Sequence, residues 1–290
     1  MTPEFWFHPN VRSDLISLFR EPEKCTRALS KISVLGLYAQ QILNHGEVAP
    51  NTFEALRDAG VFRSGMPIAV EIGAVKPGGP SACDASDNTF NARAAVDRIE
   101  LAGGLVSHLA IDEPLPSGLD PDLCNLPFEQ VVEYTAGFIR ELRPRVSSIG
   151  IIEQMPFSRA DRIVLFMETL QQAGQSPSFL HLDADRLAIR NAGLTSPAEF
   201  RADIRSLDAH CRAWGIPFRV ILWIPNIDPA KPAKFRDGVL AWHQQVMGML
   251  PDGPSGGFVL QSWDAVAGHT LPKVAPETDL MSMTGVVLAL

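Results

Sequence analysis

The chain has 290 residues, 46% of them hydrophobic and 20% charged, with a net charge of −8 and no cluster of basic residues. Nucleic-acid backbones and anionic membrane surfaces are bound through clustered Lys and Arg, so neither is an expected partner and a neutral substrate fits better. No apolar run reaches the roughly 18–20 residues of a membrane span, and the opening "MTPEFWFHPN" lacks a basic segment followed by an apolar one, so it does not read as a signal peptide.

Eight short apolar runs recur along the chain. The first is "EFWFHP" (4–9), the second "ISVLGLY" (32–38). A helical pattern, "NTFEALRDAG", then ends at Gly60, and "IAVEIG" (68–73) follows. "NARAAVDRIELAGG" stops at Gly103 and Gly104, ahead of "LVSHLAIDEP" (105–114). The long amphipathic stretch "PFEQVVEYTAGFIRELRP" leads to "SSIGIIE" (147–153). A helix predicted from Ser158 to Gly174 leads to "SFLHLDAD" (178–185). In "SPAEF", Ser196 is the expected N-cap, Pro197 the first helical residue and Glu199 the third, a capping box whose helix ends at Gly215. "FRVILWI" (218–224), the helical "KFRDGVLAWHQQVMGML" and "GFVLQSW" (257–263) complete the series.

Most of these runs are continuously apolar rather than alternating, as strands of a parallel sheet covered on both faces are. Strand and helix alternate with a period of about 30–40 residues, the repeated βα unit. Eight such units in one chain predict an α/β fold, a (β/α)8 TIM barrel forming a single domain over residues 1–290. An open doubly wound sheet is the alternative, weakened by the lack of a glycine-rich phosphate loop after any early strand.

The four cysteines form no CxxC pair, so no structural zinc site is expected. Cys25 and Cys211 fall in helical patterns. Cys83 and Cys124 lie in polar loops after strands, and a disulfide between them would suit an oxidising compartment. A secreted or periplasmic location is therefore expected if a leader has been trimmed, and a cytoplasmic one otherwise.

In a barrel of this kind the chemistry sits where the strands end. The polar and aromatic residues at those ends are Tyr38, Glu71, Asp112 with Glu113, Glu153, His181 with Asp183, Trp223 with Asn226, and Gln261 with Trp263. Two adjacent carboxylates are costly to bury without partners, so "DEP" at 112–114 stands out. Crowded carboxylates raise one another's pKa and can keep one of them protonated at neutral pH, as glycoside cleavage requires of its general acid. Aromatic faces stack on sugar rings, and amides and imidazoles bond their hydroxyls.

These motifs resemble those of (β/α)8-barrel glycoside hydrolases. "IDEP" resembles the Asn-Glu-Pro signature that carries the acid/base Glu after the fourth strand in a large clan of such enzymes, and "LQSW" resembles the Trp-bearing end of its eighth strand. The tail "LPKVAPETDLMSMTGVV" is similar to the closing segment of a group of uncharacterised bacterial glycosidase-like proteins. The resemblance implies an enzyme without a cofactor acting on an oligo- or polysaccharide, with Glu113 as general acid. It fails at strand seven, where the clan's nucleophilic Glu would stand but "RVILWIPN" has no acid. The second carboxylate is then expected from Glu153, Asp183 or Glu71. Trp263, Trp223, Asn226, Gln261, His181, Tyr38, Glu71 and Asp112 are the expected substrate-binding residues. Two other readings stay open. One is a metal-dependent sugar isomerase or epimerase using Glu71, Glu153, Asp183 and His181 as ligands. The other is a carbohydrate-binding barrel without catalysis.

Overall fold

All eight apolar runs form strands in the computed structural model, which describes residues 2–9, 15–44, 51–76, 83, 85–186, 188–189, 195–224, 232–262 and 282–290. The strands are β1 (Glu4–His8), β2 (Val34–Tyr38), β3 (Ile68–Ile72), β4 (Val106–Asp112), β5 (Ser148–Met155), β6 (Leu180–Ala184), β7 (Phe218–Leu222) and β8 (Gly257–Gln261). Each pairs in parallel with the next, and β8 pairs with β1, which closes the barrel. The fold is thus the expected (β/α)8 barrel.

The described helices are α1 (Ser17–Arg20), α2 (Thr26–Lys31), α3 (Ala39–Leu43), α4 (Thr52–Asp58), α5 (Ala85–Leu101), α6 (Pro114–Leu119), α7 (Phe128–Leu142), α8 (Ala160–Gln172), α9 (Pro197–Trp214), α10 (Pro232–Met249) and α11 (Met283–Ala289). Among the described residues no helix is long and apolar enough to cross a membrane. The capping box of α9 forms as the sequence predicts: Glu199 N–H donates to Ser196 Oγ, and Ser196 N–H to the Glu199 carboxylate. Gly215 closes that helix in the left-handed conformation. Helix α8 begins later than expected, because the Ser158 N–H is spent in a turn on the Gln154 carbonyl and the extended Arg159 becomes its N-cap.

Strand alternation sorts the side chains into two sets. Trp6, Val34, Ala69, Ala110, Ile152, Phe179, Ile221 and Val259 meet inside the barrel. Their neighbours in sequence, among them Phe7, Leu35, Val70, Leu109, Ile151, Leu180, Val220 and Leu260, pack outward with the helices. Because both faces are buried, the strands read as continuous apolar runs.

Below this layer, at the amino ends of the strands, Arg219 is buried inside the barrel with its guanidinium 4.7 Å from the Trp6 ring. The carboxylate of Glu4 accepts from both Arg219 and the Trp6 indole N–H, so the buried cation is paired.

Toward the carboxyl ends the interior narrows at Gly36. A Cβ there would lie 1.6 Å from Cδ2 and Nε2 of the fully buried His8 ring. Gly36→Ala is therefore expected to destabilise the barrel by about 3 kcal/mol or more, since overpacking that cannot be relieved by a flexible side chain lies at the upper end of its usual range. Urea unfolding measures this, and adding His8→Ala should recover most of the loss. A fully additive pair would refute the close approach as the cause.

Candidate active site

Strand alternation alone would point Asp112 into the barrel mouth and Glu113 away from it. The chain breaks that alternation at Glu113, which has φ 45° and ψ 55°, the left-handed region. A non-glycine residue held there is strained and needs surrounding contacts to keep it. The Glu113 N–H is held by the Ile152 carbonyl at 3.0 Å, and Pro114 starts α6 with the fixed φ suited to a first helical residue. The kink turns both adjacent carboxylates toward the same mouth.

Their charge is met by Lys76, whose Nζ lies 2.8 Å from Asp112 Oδ2 and 3.5 Å from Glu113 Oε2. Burial pulls the Lys76 ammonium down, but Asp112, Glu113 and Glu71 outweigh it and hold the group above its ordinary value. Lys76 is a cation at any working pH, not a free amine nucleophile.

Across the mouth, Asp183 of β6 stands close enough to Glu113 for each carboxyl group to shift the other's pKa. Asp183 also accepts from the Gln154 amide at 3.1 Å and from the Trp223 indole N–H. Burial, followed by the charge of Asp112 and against the pull of Lys76, pushes Glu113 from 4.5 up to about 7. Burial and then the charge of Glu113 raise Asp183 well above its ordinary value, against the two donors. Two carboxyl groups this close cannot both ionise cheaply, so the pair holds a proton that two separate carboxylates would lose.

On the other side of the mouth, Glu71 Oε2 accepts from the Gln261 amide at 2.7 Å and lies 3.6 Å from His8 Nδ1. Burial lowers His8 to about 3, so it is a neutral imidazole. The Tyr38 hydroxyl donates to the Ser262 carbonyl at 3.3 Å; burial, then the Glu71 charge, keeps it protonated.

Of the residues expected from the sequence, the barrel mouth brings together Glu113, Asp183, Asp112, Glu71, Gln261, Tyr38 and Trp223. Glu153 is a correction. Strand β5 continues to Met155, and its alternation puts Glu153 on the outer face with Ile151 and Met155 rather than inside with Ile152. There Glu153 Oε1 accepts the Leu115 N–H at 3.2 Å and caps the start of α6. Burial above all raises its pKa, with Glu113 and Asp112 adding to the effect. His181 shares the face of Asp183, as the alternating "HLDAD" implies, but it sits one step deeper. Its Nε2 lies 3.4 Å from Arg219 Nη1, and burial followed by the Arg219 charge keeps it neutral. The expected metal-ligand set is therefore not assembled, and among the described residues no three His, Cys, Asp or Glu side chains gather as a metal-holding group. Asn226 and Trp263 lie outside the described residues.

One site residue, Lys76, escaped the sequence reading. Lys76 lies four residues beyond the end of β3 in "GAVKPGG", and only a glycine lets it fold back: a Cβ on Gly73 would lie 2.3 Å from Lys76 Cγ. Gly73→Ala is expected to displace the ammonium and raise the Glu113 pKa by about one unit. Titration of the Glu113 carboxyl by NMR checks the direction, and a downward shift would refute it.

Cys83 and Cys124 form a disulfide, with their Cα atoms 5.6 Å apart. The bond ties Cys83, which precedes α5 in sequence, to Cys124, which follows α6. Cys25 and Cys211 are buried and form no disulfide.

No family model and no curated protein match the sequence. Solved structures do match. A psychrophilic glycoside hydrolase family 10 endo-β-1,4-xylanase superposes with a TM-score of 0.56 at 13% identity, covering 90% of this chain and 86% of its own. D-psicose 3-epimerase, solved in the presence of D-fructose, superposes with a TM-score of 0.52 at 13% identity, covering 99% and 97%. An HpcH/HpaI aldolase from Desulfitobacterium hafniense matches at 0.48 and 13% identity, covering 95% and 96%. At such identity the likeness is one of fold, a (β/α)8 barrel shared by enzymes of several reaction classes.

Proposed function

We propose that the protein is a glycoside hydrolase that cleaves an oligo- or polysaccharide by acid/base catalysis at the carboxyl end of the barrel. One arrangement carries this reading: two adjacent carboxyl groups at the end of β4, turned together into the barrel mouth and met by Lys76 at 2.8 and 3.5 Å, with burial raising Glu113 to about 7. A general acid for a glycosidic oxygen needs such a pKa, close to the operating pH.

Glu113 is the proton donor to the leaving oxygen, and Asp183 is its proton-sharing partner. Asp183 is engaged as that partner and by the Gln154 and Trp223 donors, and it is not assigned the nucleophile's role. Glu153, turned outward, is no candidate. Glu71, oriented by Gln261, is the carboxylate left to activate water or attack the sugar. Lys76 balances the charge of the acids while the proton moves, and Trp223 offers an aromatic surface beside them.

The test is release of reducing ends from a broad glycan panel by wild type and by Glu113→Gln, with and without chelator. The expected result is cleavage that survives chelator and is lost in the variant. Cleavage that persists in the variant would remove Glu113 from its role, and activity only on free sugars with added divalent metal would favour the isomerase reading.

A further inference from the structure

Beside the candidate acid lies a cavity of about 320 Å³ between α3, the end of β3 and α5. It adjoins the reacting groups, because Lys76 and Asp112 form part of its wall and Lys76 Nζ is 3.5 Å from Glu113. We infer that this cavity is a subsite for a single sugar ring bearing no carboxylate, either neutral or amino-substituted. The inference builds on the glycosidase reading and names the class of ring it takes.

The walls are of two kinds. Leu43 and Ile72 supply apolar surface suited to the C–H face of a ring, while Gln40 and Asn91 present side-chain amides. Among the described residues those two amides bond no protein group. An amide both donates and accepts, so it matches a hydroxyl in either role. The volume lies at the low end for small-molecule sites, which suits one ring rather than a chain. Asn88, one helical turn before Asn91, spends its amide N–H groups on the Ala74 and Lys76 carbonyls at 3.3 Å each. It fixes the loop that carries Lys76 and leaves Asn91 to meet the ligand.

Charge decides the class of ring. Glu71 and Asp112 both face the cavity, and Lys76 is the cation among its described lining residues. That ammonium is already engaged by Asp112 and Glu113. A uronate would bring a third carboxylate without a free cation to receive it, and like charges at such a site disfavour binding. A hydroxyl or an ammonium meets no such penalty.

The test uses Glu113→Gln, so that nothing is turned over, with the methyl glycosides of xylose, glucose, glucosamine and glucuronate as probes. Binding is read by calorimetry and saturation-transfer NMR. The expected result is binding of neutral or amino glycosides, with glucuronate at least about tenfold weaker. Adding Asn91→Phe, which fills the cavity, should remove binding, and Asn91→Leu should weaken it about tenfold while the thermal melt reports that the fold persists. Tightest binding by glucuronate, binding unchanged in both Asn91 variants, or no binding of any probe would overturn the inference. Reducing-end release by wild type is scored separately. Binding without cleavage would leave the subsite and remove the hydrolase, and cleavage indifferent to Asn91 would do the reverse.

Discussion

Glu113→Gln is expected to cut glycoside cleavage by about 10²–10⁴-fold and, in the same variant, to raise thermal stability at alkaline pH. The first effect is loss of the transferable proton. The amide keeps the shape of the side chain and can still donate to Asp183, so the barrel mouth is conserved. The second effect follows from linkage. The folded-state pKa of Glu113 is raised from 4.5 to about 7, so its contribution to stability is fully present below the unfolded value and is lost as pH climbs through 7. At pH 8 the wild type holds a buried charge beside Asp112, at a cost of up to about 3 kcal/mol for a shift of this size. Glutamine carries no charge to bury. The melting-temperature gap between variant and wild type should therefore be small at pH 5 and favour the variant at pH 8. A variant that is inactive and also less stable at pH 8 would mean that Glu113 is a structural carboxylate and not a tuned acid.

Such a trade of stability for function is common at active sites, and here its marks were only partly legible in the sequence. The continuous apolar runs gave away the barrel, because a parallel strand buried on both faces has no reason to alternate. The alternating "HLDAD" placed His181 and Asp183 on one face, and the loop cysteines pointed to their bond. Glu153 misled because "IGIIE" is apolar on both faces, so nothing in it marks which parity faces inward. That was set by the strand continuing to Met155 and by Ile152 meeting the inner layer. Glu113 was found for an incomplete reason. Alternation with Asp112 would have turned it away from the mouth, and only the left-handed backbone at that residue brings it back. Lys76 was illegible because its approach depends on the absent Cβ of Gly73, a contact in space and not a motif.

Asp183→Asn and Trp223→Phe are expected to move the alkaline limb of the pH–rate profile in opposite directions. In the wild type, full deprotonation of the pair creates two adjacent anions, which holds the limb above the ordinary carboxylate range. With Asn at 183, deprotonation of Glu113 adds an anion beside Asp112 but none beside residue 183, and the new amide can donate to it. The limb should shift below 7, and the rate at pH 7 should fall by about 10²-fold or more as the acid is emptied and loses its partner. Trp223→Phe removes an N–H donor that favours the ionised form of Asp183. A hydrogen bond to a charged group contributes about 1.5–3 kcal/mol, so its loss should raise the pKa of the pair by about one to two units and carry activity to higher pH. Aromatic surface beside the site is kept, which separates this electrostatic role from any stacking on sugar. A limb that moves in neither variant would show that Glu113 titrates independently of Asp183, and limbs that move in the same direction would refute the assigned role of the Trp223 donor.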